Sequence, residues 1–200
     1  MSRRLIGVAA VVAAALVFAP TASAQSGGGC QLAGTASFSP GLGTSAQDFT
    51  YAFGGDLTGC QSSTAGAPAT GTVSAGNVYT DATGQQFQEP RSTGNGSCAN
   101  STTSGISIVT WADGTRTIVD YDTTGAGAAV NLAGTVLPSV TLPAINPQPG
   151  QPTSTTLTTN RYDGSSALGL LAFEADPTVC SAPGGVTSAG IAGVIGLGSS

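Results

Sequence analysis

Apolar and polar residues alternate over short stretches of this chain, and Gly, Pro, Asn and Asp cut one stretch from the next. Side chains on an extended strand point alternately to opposite faces. Over residues 48–57 that alternation puts Phe49, Tyr51 and Phe53 on one face. The same pattern predicts strands over residues 31–38 (stopped by Ser39-Pro40-Gly41), 69–75, 77–80, 106–112, 115–122, 128–137, 140–145, 153–159, 166–174 and 186–197. Pro138 separates two of them, and the proline-rich stretch from Asn146 to Pro152 reads as an extended loop. No helical apolar period is sustained beyond the N-terminal segment. Short strands at close spacing, rich in Thr and Val, predict an all-β fold: an antiparallel β-sandwich, immunoglobulin-like or related, with a β-barrel as the alternative.

Asp113-Gly114 stands between two β-branched runs and is a preferred sequence for a two-residue type I′ hairpin turn. That turn would set Trp111 opposite Arg116, Val109 opposite Ile118, Ile108 opposite Val119 and Ile106 opposite Tyr121. Both faces of this hairpin would be apolar, so it is expected at the centre of the fold, covered on both sides. The segment 186–197 is uncharged and carries Val186, Ile191, Val194, Ile195 and Leu197. Left free it would be an aggregation-prone edge, so it is expected to pair as a closing strand.

The chain opens differently. Arg3 and Arg4 precede an apolar run over residues 5–19, Pro20 ends it, and Ala22-Ser23-Ala24 follows as an A-x-A cleavage pattern. This is the layout of a secretory signal peptide, and the run is short of the roughly 20 residues a membrane span needs. Gly7 interrupts any twin-arginine pattern, and Cys30 stands too far downstream to be a lipidated cysteine. The organisation expected is a signal peptide over residues 1–24, a flexible leader over 25–29 and a single β domain over 30–200. Cleavage removes 24 of the 200 residues and leaves 176, with three arginines against ten acids, a net charge of −7. That balance disfavours nucleic acid as a partner, and no transmembrane segment is expected after cleavage.

The four cysteines, Cys30, Cys60, Cys98 and Cys180, all lie beyond the cleavage site. An even count in an exported chain reads as two disulfides. Three pairings are possible; Cys30 opens one predicted strand and Cys60 closes the next, which favours Cys30–Cys60 and Cys98–Cys180.

Histidine and lysine are absent, which removes the commonest general base, the commonest metal ligand and the usual Schiff-base amine. There is no G-x-S-x-G elbow, and Asp113-Gly114-Thr115 and Asp163-Gly164-Ser165 invert the D-T/S-G order of aspartic proteases. No catalytic residue, metal ligand or cofactor site is therefore assigned. Trp111 with Arg116 forms a candidate ligand platform, with a structural cation–π pair as the plainer account. Asp120 and Asp122 share a strand face about 7 Å apart. With Asp113 and Asp163 they could attract calcium or form the carboxylate pair of a glycosidase, and an acid hydrolase would need two of Asp113, Asp120, Asp122, Asp163, Glu174 and Asp176 in one cleft, but solvated strand-end carboxylates are the default. Asn95-Gly-Ser and Asn100-Ser-Thr match the glycosylation pattern and are expected to mark an exposed loop beside Cys98.

Cys30 leading into Gly34-Thr35-Ala36-Ser37-Phe38-Ser39-Pro40, the strand end Leu57-Thr58-Gly59-Cys60, and Val109-Thr110-Trp111-Ala112-Asp113-Gly114-Thr115 carry a resemblance. They resemble uncharacterised small secreted Ala/Gly/Thr-rich proteins of high-GC Gram-positive bacteria. The resemblance implies export and a β fold and transfers no site residue. In composition the chain is also similar to the small antitumour chromoprotein carriers, acidic two-disulfide β-sandwiches, an analogy of class without a shared motif.

The function expected is that of a secreted, monomeric, non-catalytic binding or cell-surface protein with an extracellular or envelope partner. The alternatives are a carrier of a small apolar ligand and a hydrolase using acidic residues. Exported material should have an intact mass that begins at Gln25 and lies four hydrogens below the reduced form. Free thiols in such material would remove the two-bridge reading.

Overall fold

The computed structural model describes residues 27–198. The signal-peptide stretch lies outside the described residues. The strands in chain order are β1 (Gly28–Leu42), β2 (Gln47–Ser62), β3 (Gly71–Ala75), β4 (Val78–Thr80), β5 (Gln86–Gln88), β6 (Ser92–Gly96), β7 (Asn100–Trp111), β8 (Arg116–Ala126), β9 (Ala129–Leu137), β10 (Ser139–Pro143), β11 (Ser154–Thr158), β12 (Ser166–Glu174) and β13 (Val186–Gly198). A 3-10 turn, Pro177–Ser181, lies between β12 and β13. No helix among the described residues is long and apolar enough to cross a membrane.

β1 pairs with β13 along one edge and with β2 along the other. That double pairing closes eight antiparallel strands, β1-β13-β12-β9-β8-β7-β3-β2, into a barrel. The barrel alternative thus replaces the expected sandwich. Part of the physical reason is glycine in the long strands β1 and β2, where the wall must bend. Gly34 lies across from Gly55, and a Cβ on Gly34 would collide with the Gly54 carbonyl and stand 2.8 Å from the Phe53 ring. Backbone and ring come close here because neither glycine has a side chain.

One stretch of wall is built from two short strands. β3 joins β2 to β7 near Leu57 and Trp111, and β6 joins the same two strands near Thr50 and Thr103. The period-two pattern becomes an inside–outside pattern. Leu32, Leu57, Val73, Val109, Trp111, Val119, Tyr121, Val136, Ala167 and Leu197 form the interior core. The C-terminal segment is paired on both sides, by β1 and β12, as expected of a closing strand.

Outside the barrel, the hairpins β4–β5 and β10–β11 are joined by a bridge between Phe87 and Ala144. They form a second core in which Phe87, Val140, Leu142 and Leu157 cluster with Ile108 and Ile118 of β7 and β8. This explains why the β7–β8 hairpin is apolar on both faces: one face fills the barrel and the other lies under the outer layer.

The expected register of that hairpin is off by one residue. Its turn has three residues, with Trp111 N–H donating to the Thr115 carbonyl at 2.9 Å and Gly114 at a φ of 80°. The Asp113 carboxylate accepts from the Thr115 amide and hydroxyl, which favours the wider turn. Thr110 therefore faces Arg116, Val109 faces Thr117 and Ile108 faces Ile118. A one-residue slip exchanges the two faces of a strand.

Several boundaries also move, and β2, β7 and β8 run longer than expected. Gly28 and Gly29, read as leader, already pair with β13 and β2. A Cβ at Gly28 would stand 2.9 Å from the Tyr162 hydroxyl, so the glycine run is part of the wall. β1 runs past Pro40 to Leu42 because the proline lies where pairing with β13 skips from Ser37 to Leu42. Asn95 lies within β6, Asn100 opens β7 and both are exposed, so the two glycosylation sequences start on strands and not in a loop.

The two disulfides are Cys30–Cys60 and Cys98–Cys180, the favoured pairing. The first ties β1 to β2. The second ties the β6–β7 connection to the turn before β13, 82 residues away in sequence. Replacing Cys98 and Cys180 together by Ala should lower stability by about 4 kcal/mol on the chain-entropy account. Urea unfolding of the exported protein would measure it, and an unchanged midpoint would mean that this bridge does not restrain the unfolded chain.

Candidate functional site

One end of the barrel is sealed and is called its floor. Trp111 points inward there and donates from Nε1 to Thr117 Oγ1 at 2.9 Å, and that hydroxyl donates to the Arg161 carbonyl at 3.1 Å. The Tyr162 ring meets the indole edge-on with centroids 6.0 Å apart, and its hydroxyl donates to Ser62 at 3.0 Å. Cys30, part of the first disulfide, is buried in the same cluster. Near the other end, Phe38, Phe49 and Phe173 pack ring to ring at 5.8 and 5.9 Å beside the second disulfide. This aromatic group covers the β1, β2 and β13 side. Across from it, Ser101, Thr123, Val130 and Leu132 on β7, β8 and β9 are only half-buried and form a rim.

Between floor and rim lies an interior cavity of about 130 Å³. Its walls are largely apolar, with Leu32, Phe53, Val109, Val119 and Leu171 among them, and no charged residue lines it. One side carries a chain of hydroxyls. Tyr51 and Tyr121 meet at 2.6 Å, Tyr51 meets Thr103 at 3.1 Å, Thr103 meets Thr123 at 2.7 Å, and Ser92 stands 3.4 Å from Tyr121. Gly105 makes this possible. It lies across from Tyr121, and a Cβ there would press on Ser92 Oγ and on the Tyr121 hydroxyl. Burial, ahead of every other influence, pushes both phenols above their ordinary 10.0. Both are therefore neutral hydrogen-bonding groups at physiological pH.

The structure separates the candidate platform residues. Trp111 is in the floor. Arg116 lies outside the barrel, its guanidinium 5.7 Å from the centre of the Tyr79 ring, and donates to that hydroxyl at 3.1 Å. The register slip described above puts the two on opposite faces, so Trp111 and Arg116 form neither a ligand platform nor a cation–π pair with each other.

The carboxylates do not gather either. Asp120 and Asp122 share a face, as expected, and it is the exposed outer face of β8. Asp113 is held by Arg161, whose Nη2 donates to it, and by the Thr115 hydroxyl. The hydroxyl first and the guanidinium second hold the Asp113 carboxyl down at about 2. Among the described residues no group of three acids or cysteines is placed to hold a metal. An open groove on the outer wall brings Asp122 near Asp48, Thr93, Asn95 and Ser104, and Asp48 already accepts from Asn95 at 2.7 Å.

The interior hydroxyls were within reach of the alternation along residues 48–57 and 115–122. Tyr51 stands between two phenylalanines, and Tyr121 stands between the two acids that draw attention first. What the sequence lacks is any sign that the two tyrosines face each other across the fold.

Tyr121→Phe should cost about 1–2 kcal/mol, because it removes the hydroxyl that contacts both the buried Ser92 and Tyr51. The raised phenol pKa values give a matching pH dependence. Unfolded tyrosine ionises near 10.0, so the contribution is intact below that pH and declines as the pH climbs through the higher folded values. Alkaline difference spectra with denaturation midpoints read both effects, and a midpoint that is flat from neutral pH into the alkaline range contradicts the buried pair.

No family model, curated protein or solved structure matches this chain.

Proposed function

We propose that this is an exported, non-catalytic binding protein whose barrel interior holds a small apolar ligand. The observation that carries this reading is the uncharged cavity of about 130 Å³ inside a closed barrel, sealed at the floor and half-open at the rim. An eight-stranded barrel has an interior that side chains just fill or that holds one small ligand. Here the side chains leave space. Two disulfides fit a protein that works in an oxidising space outside the cell.

A hydrolase using acidic residues fits less well. None of Asp113, Asp120, Asp122, Asp163, Glu174 and Asp176 lines the interior. A surface role with an envelope partner keeps one specific support. Leu168, Leu170 and Val194 stand 56%, 65% and 54% exposed on the outer face of β12 and β13.

Native mass spectrometry of protein from the producing culture tests the carrier reading. A fraction carrying a compound of small mass is expected, and solvent extraction should remove it and lower the thermal midpoint. A ligand at a hundred times its Kd stabilises by about 2.7 kcal/mol. Ala75→Leu fills the cavity from a position that is 1% exposed, and should abolish carriage while leaving the fold intact. Native protein that carries nothing and an Ala75→Leu variant that takes up added ligands like the parent would overturn the reading.

A further inference from the structure

The cavity's size, charge and hydroxyl chain restrict what it can hold. We infer that the ligand is a neutral, single-ring compound bearing one oxygen substituent, of the phenol or alkylphenol class, with the oxygen on Thr123 and Thr103 and the ring among Phe38, Phe53 and Leu171. This inference rests on the carrier reading above and adds the chemistry of the occupant.

Size comes first. A dry cavity of about 150 Å³ in another protein accepts benzene. A space of about 130 Å³ is on the same scale and excludes a fatty acid or a multi-ring pigment. Charge comes second. With no charged group in the lining, an ionised carboxylate or amine would be desolvated without a partner, and that cost is far larger than a small contact area returns.

The hydroxyl chain supplies the polar contact. Ser92, Tyr121, Tyr51, Thr103 and Thr123 form a single file with four contacts between neighbours. Each hydroxyl carries one proton and can accept as well. Five protons meet four contacts, so at least one O–H is left to donate outside the file. Ser92, at one end, is fully buried in the wall and does not line the cavity; Thr123, at the other, lines it and is half-buried at the rim. When every proton points along the file away from Ser92, the spare donor is the Thr123 hydroxyl, facing the cavity. An oxygen on the ligand accepts from it. If that oxygen is itself a hydroxyl, it can donate back to a free lone pair on Thr103. The rings of Phe38, Phe53 and Tyr51 favour an aromatic body over an aliphatic one of equal volume.

Isothermal titration calorimetry on the disulfide-intact protein, with p-cresol, toluene and 4-methylbenzoate as probes, tests this. p-Cresol should bind about 3- to 10-fold more tightly than toluene, the worth of one net hydrogen bond. 4-Methylbenzoate should not bind at neutral pH. Thr123→Val should bring p-cresol down to the toluene level and leave toluene unchanged. Thr123→Ser, which retains the hydroxyl, should restore the difference. Equal affinity for p-cresol and toluene, or a difference that survives in Thr123→Val, overturns the assignment of the oxygen while the cavity remains a ligand site. Binding of 4-methylbenzoate overturns the neutral class. If neither toluene nor p-cresol binds, and neither raises the thermal midpoint, the carrier reading falls together with this inference.

Discussion

Closure of the sheet through β1 is the constraint on which the rest of the molecule depends. An open sheet has two edges whose amides and carbonyls must find partners or water. Because β1 pairs along both edges, with β13 and with β2, neither edge remains on the barrel. Closure turns a simple alternation of residues into an inside and an outside. It forces twelve strand-borne side chains into one interior cluster and holds the hydroxyls of Tyr51 and Tyr121, seventy residues apart, within hydrogen-bond reach. The flat outer faces of β7 and β8 then need a cover of their own, which the two added hairpins provide.

The wall is also thin. Where a sheet curves tightly around a small interior, bulk on facing strands competes for the same space. The chain resolves this by placing glycine across from aromatic residues, as at Gly105 across from Tyr121 and at Gly34 and Gly55 beneath Phe53. The glycines on these strands are therefore spatially specific. A chain with so few charges has no other means of building a polar locus inside, and hydroxyl groups in single file serve that purpose without the desolvation cost of ions.

Much of the strand pattern was legible before any fold was known. Alternation marks all or part of every barrel strand except β6, and the positions of Cys30 and Cys60 at the ends of successive predicted strands favour the disulfide pairing that the structure has. Sequence alternation does not say whether a sheet closes, since a strand buried on one face looks the same in a sandwich and in a barrel. β6 escaped notice because Ser92-Thr93-Gly94-Asn95-Gly96 carries no large apolar residue. Its inward position Gly94 lies against the Phe49 ring, so the bulk that marks a strand is supplied by its neighbour. The Asp113-Gly114 turn is legible in the sequence, but its length is not. The Asp113 side chain gathers the Thr115 amide and hydroxyl into a wider loop, and one added residue was enough to send Trp111 inward and Arg116 outward. The hydroxyl file was hidden because it joins strands distant in sequence, and no local spacing encodes that.

The first and last barrel strands are neighbours, and Gly28 stands beside Leu197 at the sealed floor. Both described ends of the chain thus emerge side by side, at the pole opposite the half-open rim. Anything fastened to either end, whether a surface, a bead or a fused domain, would leave the opening facing away from the point of attachment. A pull between the two ends would load the β1–β13 ladder one rung at a time, as in a zipper. The barrel would then yield at its seam under a modest load, while the disulfide between Cys30 and Cys60 keeps β1 fastened to β2.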